Sequence, residues 1–200
     1  SLDRVRGDRA LARRSGFMAR SVRELAEKAR ELRLADDIEV VFANKNLEAA
    51  VRETLERPQG PLTRGHLKRM KELVVEEPID NLTDLEHAVN LTGLSLGANG
   101  INDVSALASL TNLTTLELDA NEISDVSPLA SLTNLTTLSL SENQISDVSP
   151  LASLTNLTSL DLDGNQISFV SPLALLTNLT KLYLWDNQIS DVSPLASLTN

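Results

Sequence analysis

The sequence predicts an α/β fold: a solenoid of parallel β-strands, closed at its N-terminal end by an α-helical cap. Two observations support this prediction. A unit of 22 residues recurs four times between Leu110 and Ser197 with few changes. The part of the chain before the repeats instead carries helix-starting residues followed by apolar residues at helical spacing. A fixed period of this length indicates a repeat architecture.

Each copy contains the pattern L-x-x-L-x-L-x-x-N-x-I, which is the signature of a leucine-rich repeat. The four copies begin at Leu110, Leu132, Leu154 and Leu176. One copy cannot bury its own leucines, whereas stacked copies bury them continuously. We therefore expect a right-handed leucine-rich-repeat solenoid, with parallel strands on its concave face and short 3-10 turns on its convex face.

The strand of each copy is the short segment around its Leu-x-Leu pair. Side chains alternate between the two faces of a strand. In the first copy Leu116 and Leu118 therefore point inward, and Thr115, Glu117 and Asp119 point outward onto the concave face. Strands of neighbouring copies are expected about 4.8 Å apart.

An asparagine recurs just after each strand, where the backbone must turn. These residues are Asn99, Asn121, Asn143, Asn165 and Asn187. A buried backbone group left unpaired at such a turn costs about 1–3 kcal/mol. Because an asparagine side chain carries both a donor and an acceptor, we expect this column to be structural. A second column is expected to act similarly where the next strand begins: Asn112, Asn134, Asn156 and Asn178.

The tripeptide Ser-Pro-Leu recurs on the return segment of each copy. Its serines are Ser127, Ser149, Ser171 and Ser193. Serine is a favoured N-cap residue, and proline is favoured at the first helical position. The tripeptide therefore predicts that the serine caps a short helical or 3-10 turn, since the repeat leaves little room for a longer helix.

Residues 1–36 are predicted to be a basic helical extension. A helix around residues 2–12 is followed by a second helix, which opens with a capping box between Ser21 and Glu24. A basic amphipathic helix can bind a membrane or a partner helix, and it can also pack on its neighbour as a solvated helix. Both interpretations stay open.

Residues 37–66 are predicted to form the helical cap. A short strand is expected at residues 38–42, followed by a helix that begins at Asn44 or Asn46 and ends before Pro58. A further short helix is expected to start at residue 63.

Residues 67–200 are predicted to be the repeat array. It comprises a degenerate first repeat at residues 67–87, regular repeats at residues 88–197, and the start of another at residues 198–200. The last copy would expose its leucine layer to solvent. We therefore expect the chain to be a fragment, or a further cap to follow it.

Charge is divided unevenly along the chain. Residues 1–78 hold 17 of the 18 lysines and arginines against 14 acids, and residues 79–200 hold Lys181 against 14 acids. An acidic array disfavours nucleic acid and anionic membranes as ligands and permits a basic protein partner; the charge is also explained by solubility alone.

The sequence has no cysteine, which excludes a disulfide framework. No segment has the length and apolarity of a transmembrane span.

The sequence resembles bacterial internalin-like leucine-rich-repeat proteins from about Asp37 to Asn200. The resemblance rests on the segment from Phe42 to Met70 (FANKNLEAAVRETLERPQGPLTRGHLKRM), on LEHAVNLTGLSL, and on the unit LTNLTTL…NQISDVSPLAS. It implies that the helical cap seals the first repeat and that the concave face binds a protein ligand. It also implies an extracellular or cell-surface location; the cytoplasm is the alternative.

The outward strand positions differ between copies while the leucines, asparagines and prolines stay fixed. The only tyrosine and the only tryptophan of the chain fall on these positions, and both types are enriched among binding hot spots. Incidental variation, or cover for the end of the array, is the alternative explanation. The predicted partner-binding residues are Tyr183, Trp185, Asp186, Lys181, Asp161, Asp163, Glu117 and Asp119.

The predicted function is non-catalytic protein–protein recognition through the concave face. Two alternatives stay open: a sensor or scaffold arm of a larger GTPase, kinase or effector, and a structural subunit that docks through its N-terminal helices. We expect no catalytic residues and no cofactor. We also expect no metal site, because a flat column of carboxylates lacks the shaped oxygen cage that calcium requires. Phe169 replaces an aspartate of the other copies. This substitution is either a second contact for a partner or the result of random sequence drift.

Overall fold

The computed structural model describes Ser21 and residues 23–200. The chain divides into two compact units, which are Ser1–Ile38 and Glu39–Asn200. In the first unit, residues 23–36 are helical (α1), and the amide of Asp37 donates to the carbonyl oxygen of Arg33 at 3.0 Å. The helix predicted around residues 2–12 and the Val22 position of the second helix lie outside the described residues.

The second unit begins with two short helices, α2 at Lys45–Thr54 and α3 at Arg64–Leu67. Asn44 caps α2, since its Oδ1 accepts from the amides of Asn46 and Leu47 at 2.9 and 3.1 Å. This result decides between the two predicted caps.

The strand predicted at residues 38–42 was wrong. Only an isolated antiparallel bridge forms there, between Glu39 and Thr63. A single backbone hydrogen bond accompanies it, from the amide of Val40 to the carbonyl of Leu62 at 2.8 Å. The segment has alternating apolar residues, but no neighbouring strand extends the ladder.

Six parallel strands form one sheet in chain order. They are β1 at Glu72–Val74, β2 at Gly93–Ser95, β3 at Thr115–Glu117, β4 at Thr137–Ser139, β5 at Ser159–Asp161 and β6 at Lys181–Tyr183. The central leucines pair in register from Leu73 to Leu182. This arrangement confirms the predicted leucine-rich-repeat solenoid.

Short 3-10 helices return the chain between strands. They span Thr83–His87, Ser105–Ser109, Ser127–Ser131, Ser149–Ser153, Ser171–Leu175 and Ser193–Ser197. In the four Ser-Pro-Leu copies the proline lies at the beginning of the 3-10 helix, as predicted.

Serine is not the capping residue of these turns, so that part of the prediction was wrong. Ser127 is the first helical residue, and the carboxylate of Asp125 accepts from its amide at 2.8 Å. The same bond joins Asp103, Asp147 and Asp191 to the serine two positions later. Hydrogen bonds from the backbone and then the side chain of Ser127 lower the pKa of Asp125.

The asparagine column pairs the backbone of successive coils, as predicted. Nδ2 of Asn143 donates to the carbonyls of Leu118, Leu140 and Ser141 at 2.9, 3.1 and 3.1 Å. Its Oδ1 accepts from the amide of Ile123 at 3.0 Å. Only 7% of Asn143 is exposed. Its polar atoms, which water cannot reach, are therefore paired with backbone groups of the protein.

The second asparagine column also joins successive coils, but with one hydrogen bond per residue at the surface. Nδ2 of Asn156 donates to the carbonyl of Thr133 at 2.8 Å, and Asn112, Asn134 and Asn178 repeat this bond.

One continuous apolar core runs from the cap through the array. Leu47 and Val51 of α2 and Leu67 of α3 are fully buried in it, together with the inward leucines of the coils. In the last coil Leu182 is only half-buried, and Val192 is 62% exposed. Apolar side chains of the cap and of the array are therefore buried in the same core, which stabilises both.

Candidate binding surface

The sheet register sets which outward side chains are neighbours. Lys181 pairs with Ser159, and Tyr183 pairs with Asp161. Paired positions on adjacent parallel strands are about 4.8 Å apart. Six of the eight predicted binding residues therefore lie together on or just beyond β5 and β6: Asp161, Asp163, Lys181, Tyr183, Trp185 and Asp186.

Trp185 combines a fixed backbone with an exposed ring. Its amide donates to Oδ1 of Asp163 at 2.5 Å, and its carbonyl accepts from the amide of Gly164 at 2.9 Å. The residue is nevertheless 78% exposed, and Tyr183 is 46% exposed. Asp186, which follows, is exposed and has a left-handed backbone with φ 51. A large apolar ring is thus presented to solvent without loss of backbone order.

Glu117 and Asp119 lie on the far side of β4 from the aromatic residues. The Oδ1 atom of Asp119 accepts hydrogen bonds from the hydroxyls of both Ser139 and Ser141, and the bond from Ser141 measures 2.9 Å. Small hydroxyl side chains therefore separate two rows of carboxylates. Sequence reasoning missed this role of the two serines, although their register positions were already known.

The surroundings of Asp161 disfavour its ionised form. Burial raises its pKa, the hydrogen bond from the Asp163 amide opposes the shift, and the charges of Asp163 and Asp119 add to it. That hydrogen bond measures 3.0 Å. Because like charges disfavour ionisation, this side chain would gain from a cation brought by a partner.

Phe169 lies away from the sheet, on the return segment before the 3-10 helix Ser171–Leu175. It is 62% exposed, and Leu175 at the end of that 3-10 helix is 61% exposed. Phenylalanine cannot supply the carboxylate oxygen with which Asp147 and Asp191 accept from the amide of the serine two positions later. The structure gives no reason for this substitution.

The sheet face presents side chains of the kinds that make contacts with another polypeptide. Within the described part of the chain, no group of three or more His, Cys, Asp or Glu side chains is arranged to hold a metal ion. Nor does any helix there have the length and apolarity needed to cross a membrane. The sheet face offers aromatic rings, carboxylates and hydroxyls, which suit a polypeptide partner.

The outward positions of the first strand were also missed. Glu72 and Val74 flank the inward Leu73 of β1, and Val74 pairs with Ser95. Val74 is 57% exposed. Extending the register of the regular copies back into the degenerate repeat would have placed both on the concave face.

Comparison with known families defines the class of the protein. The family profile described as "Leucine Rich repeats (2 copies)" matches residues 89–131 and 133–175, and the profile "Leucine Rich Repeat" matches residues 178–198. Together these matches cover more than half of the chain. The chain therefore belongs to the leucine-rich-repeat family.

Solved structures narrow this class to an internalin-like protein. An internalin (inlF) from Listeria monocytogenes is 37% identical with a TM-score of 0.77, and the match covers 80% of this chain and 48% of that one. This chain thus spans about half the length of that internalin. An internalin C2 (inlC2) from the same species is 34% identical with a TM-score of 0.47, covering 80% of this chain and 92% of that one.

A more distant match is the ectodomain of the plant membrane receptor kinase GASSHO1/SCHENGEN3 from Arabidopsis thaliana. It is 26% identical with a TM-score of 0.61, and the match covers 68% of this chain and 18% of that one. Its structure was solved in complex with Casparian strip integrity factor 2. No curated protein matches the chain.

Proposed function

We propose that this protein is a non-catalytic recognition module that binds a protein partner through the concave face of its sheet, around Tyr183 and Trp185. Leucine-rich-repeat proteins generally mediate protein–protein interactions, which supports the class of function. The observation that carries the proposed location is the exposure of Trp185 on an ordered backbone. Similarity to Listeria internalins supports placement at a bacterial cell surface.

The proposed partner carries a basic, partly apolar patch. Trp185 and Tyr183 supply flat apolar area that loses little side-chain entropy on binding. Asp161 and Asp163 lie beside them and supply negative charge. Charges at the rim of an interface mainly steer association, while buried aromatic anchors mainly slow dissociation.

The test is capture of partners by the intact chain and by a Tyr183→Ala/Trp185→Ala variant. We expect the variant to lose capture, or to dissociate at least tenfold faster, since each such anchor contributes about 2 kcal/mol or more. Dissociation of the purified partner is measured by surface plasmon resonance.

The matched control is Phe169→Ala/Leu175→Ala, which removes two exposed apolar side chains from the return side. This control should bind as the unmodified chain does. If the control loses the partner and the Tyr183/Trp185 variant keeps it, the binding surface lies on the return side and the proposal is wrong.

Binding is also expected to weaken as the pH falls. Because burial raises the pKa of Asp161 above that of an ordinary aspartate, this side chain takes up a proton at a higher pH than usual. A basic partner favours the ionised form, so affinity should fall as the pH decreases through that raised pKa. Asp161→Asn should flatten this part of the affinity–pH profile, and Asp125→Asn on the return segment should leave it in place.

A further inference from the structure

A groove of about 510 Å³ opens between helix α2 and strand β1. Its lining includes Ala49, Ala50, Val74 and four glutamates, Glu53, Glu72, Glu76 and Glu77. The volume falls within the range of ligand sites, about 300–1,000 Å³. The groove is therefore large enough to take side chains of another molecule.

The walls of the groove are fixed by the way the cap sits on the first coil. Nδ2 of Asn46 donates to the carbonyl of Pro78 at 2.8 Å, which ties α2 to the segment after β1. The amide of Ala43 donates to the carboxylate of Asp84 at 2.9 Å. The groove is consequently part of the folded cap and not a gap between loosely held segments.

The groove has apolar lining residues, called its floor below, and acidic lining residues, called its rim. Val74 is 57% exposed although it lies on an ordered strand, and the alanines of α2 continue this floor. Four glutamates contribute to the lining, and no lysine or arginine does so among the described residues. The groove thus combines apolar contact area with uncompensated negative charge.

Glu72 is held in place above the neighbouring strand. Its Oε1 accepts from the hydroxyl of Thr92 at 3.0 Å. A Cβ atom on Gly93 would overlap Oε2 of Glu72, so the carboxylate occupies the space that a side chain at that position would need. The absence of a side chain at Gly93 therefore allows one acidic group to rest at the edge of the groove.

We propose that this groove is a second binding site, which takes an arginine- or lysine-rich peptide segment of a partner protein. The long stems of arginine and lysine lie well along an apolar floor while their charged ends reach carboxylates. Charge complementarity selects such a segment over an acidic or uncharged one. Five strand spacings separate β1 from β6, about 24 Å, so this site is distinct from the surface around Tyr183 and Trp185 and does not depend on it.

The probe is a fluorescein-labelled octapeptide that alternates arginine and leucine, titrated into the full chain and followed by fluorescence anisotropy. Its counterpart alternates glutamate and leucine and should not bind. In the unmodified chain, the arginine peptide should shift the methyl NMR signals of Ala49, Ala50 and Val74. Shifts confined to the surface around Tyr183 and Trp185 would overturn the proposal.

Three substitutions, Glu53→Gln, Glu76→Gln and Glu77→Gln, are combined to remove the charge of the rim. Loss of three exposed charge contacts should raise the Kd of the arginine peptide by about tenfold. The matched control combines Glu27→Gln, Glu122→Gln and Glu142→Gln, three exposed glutamates elsewhere on the chain. The control should change Kd by less than about twofold, because it leaves the groove intact. Equal weakening in both variants would mean that only net charge attracts the peptide, and it would overturn the proposal.

Discussion

Removal of residues 1–66 is expected to make the repeat array aggregate. The apolar core is continuous from α2 and α3 into the first coils, and it includes the buried Leu47, Leu67 and Leu73. Deleting the cap would expose this layer and leave β1 as an uncovered edge strand. Size-exclusion chromatography with light scattering, together with far-ultraviolet circular dichroism, provides the measurement.

The control for this deletion is the removal of residues 1–36 alone. It leaves the second compact unit, Glu39–Asn200, complete, so it should leave folding and solubility nearly unchanged. A folded, monodisperse fragment that starts at Leu67 would contradict the sealing role of the cap.

The substitution Asn143→Ala is expected to lower the free energy of unfolding by about 1–3 kcal/mol. It leaves the amide of Ile123 without its partner in the interior. The carbonyls of Leu118 and Leu140 each lose one of two asparagine donors. Chemical denaturation measures the loss in the free energy of unfolding. Hydrogen exchange measures the local effect, and the protection of the Ile123 amide against exchange should fall.

Asn156→Ala serves as the comparison, because it removes an asparagine that makes one hydrogen bond at the surface. Its expected cost is about 1 kcal/mol or less. Equal losses for Asn143→Ala and Asn156→Ala would show that the interior column contributes no more than the exterior one.

The repeat architecture was predictable because its determinants are local and periodic. Leu116 and Leu118 alternate with outward residues in the sequence and in the sheet. The position of Asn143 could be interpreted because its amide carries both the donor and the acceptor that the turn requires.

The errors arose where several local solutions satisfy the same pattern. Serine and aspartate both cap helices, but Asp125 lies two residues before Ser127 and offers a charged acceptor to its amide. Residues 38–42 alternate as a strand does, yet a strand needs a neighbour that no local pattern specifies.

The candidate surface was predictable in part. Register alone places Asp161 beside Tyr183, and the structure has this pairing. The hydrogen bonds of Asp119 with Ser139 and Ser141 depend on side-chain rotamers across strands. The groove beside Val74 depends on where α2 packs against β1. Such tertiary contacts are not encoded in the spacing of either segment.

The central claim is that a partner covers the concave face at Trp185, and the single tryptophan of the chain permits a direct test. The chain is labelled with 5-fluorotryptophan, and the solvent isotope shift of its one fluorine signal is measured by NMR in free protein and in complex with a captured, unlabelled partner. The free chain should show a large shift because Trp185 is 78% exposed. The complex should show a much smaller one, since a buried anchor loses contact with water. A complex in which the fluorine signal keeps its position and its full isotope shift would contradict the account.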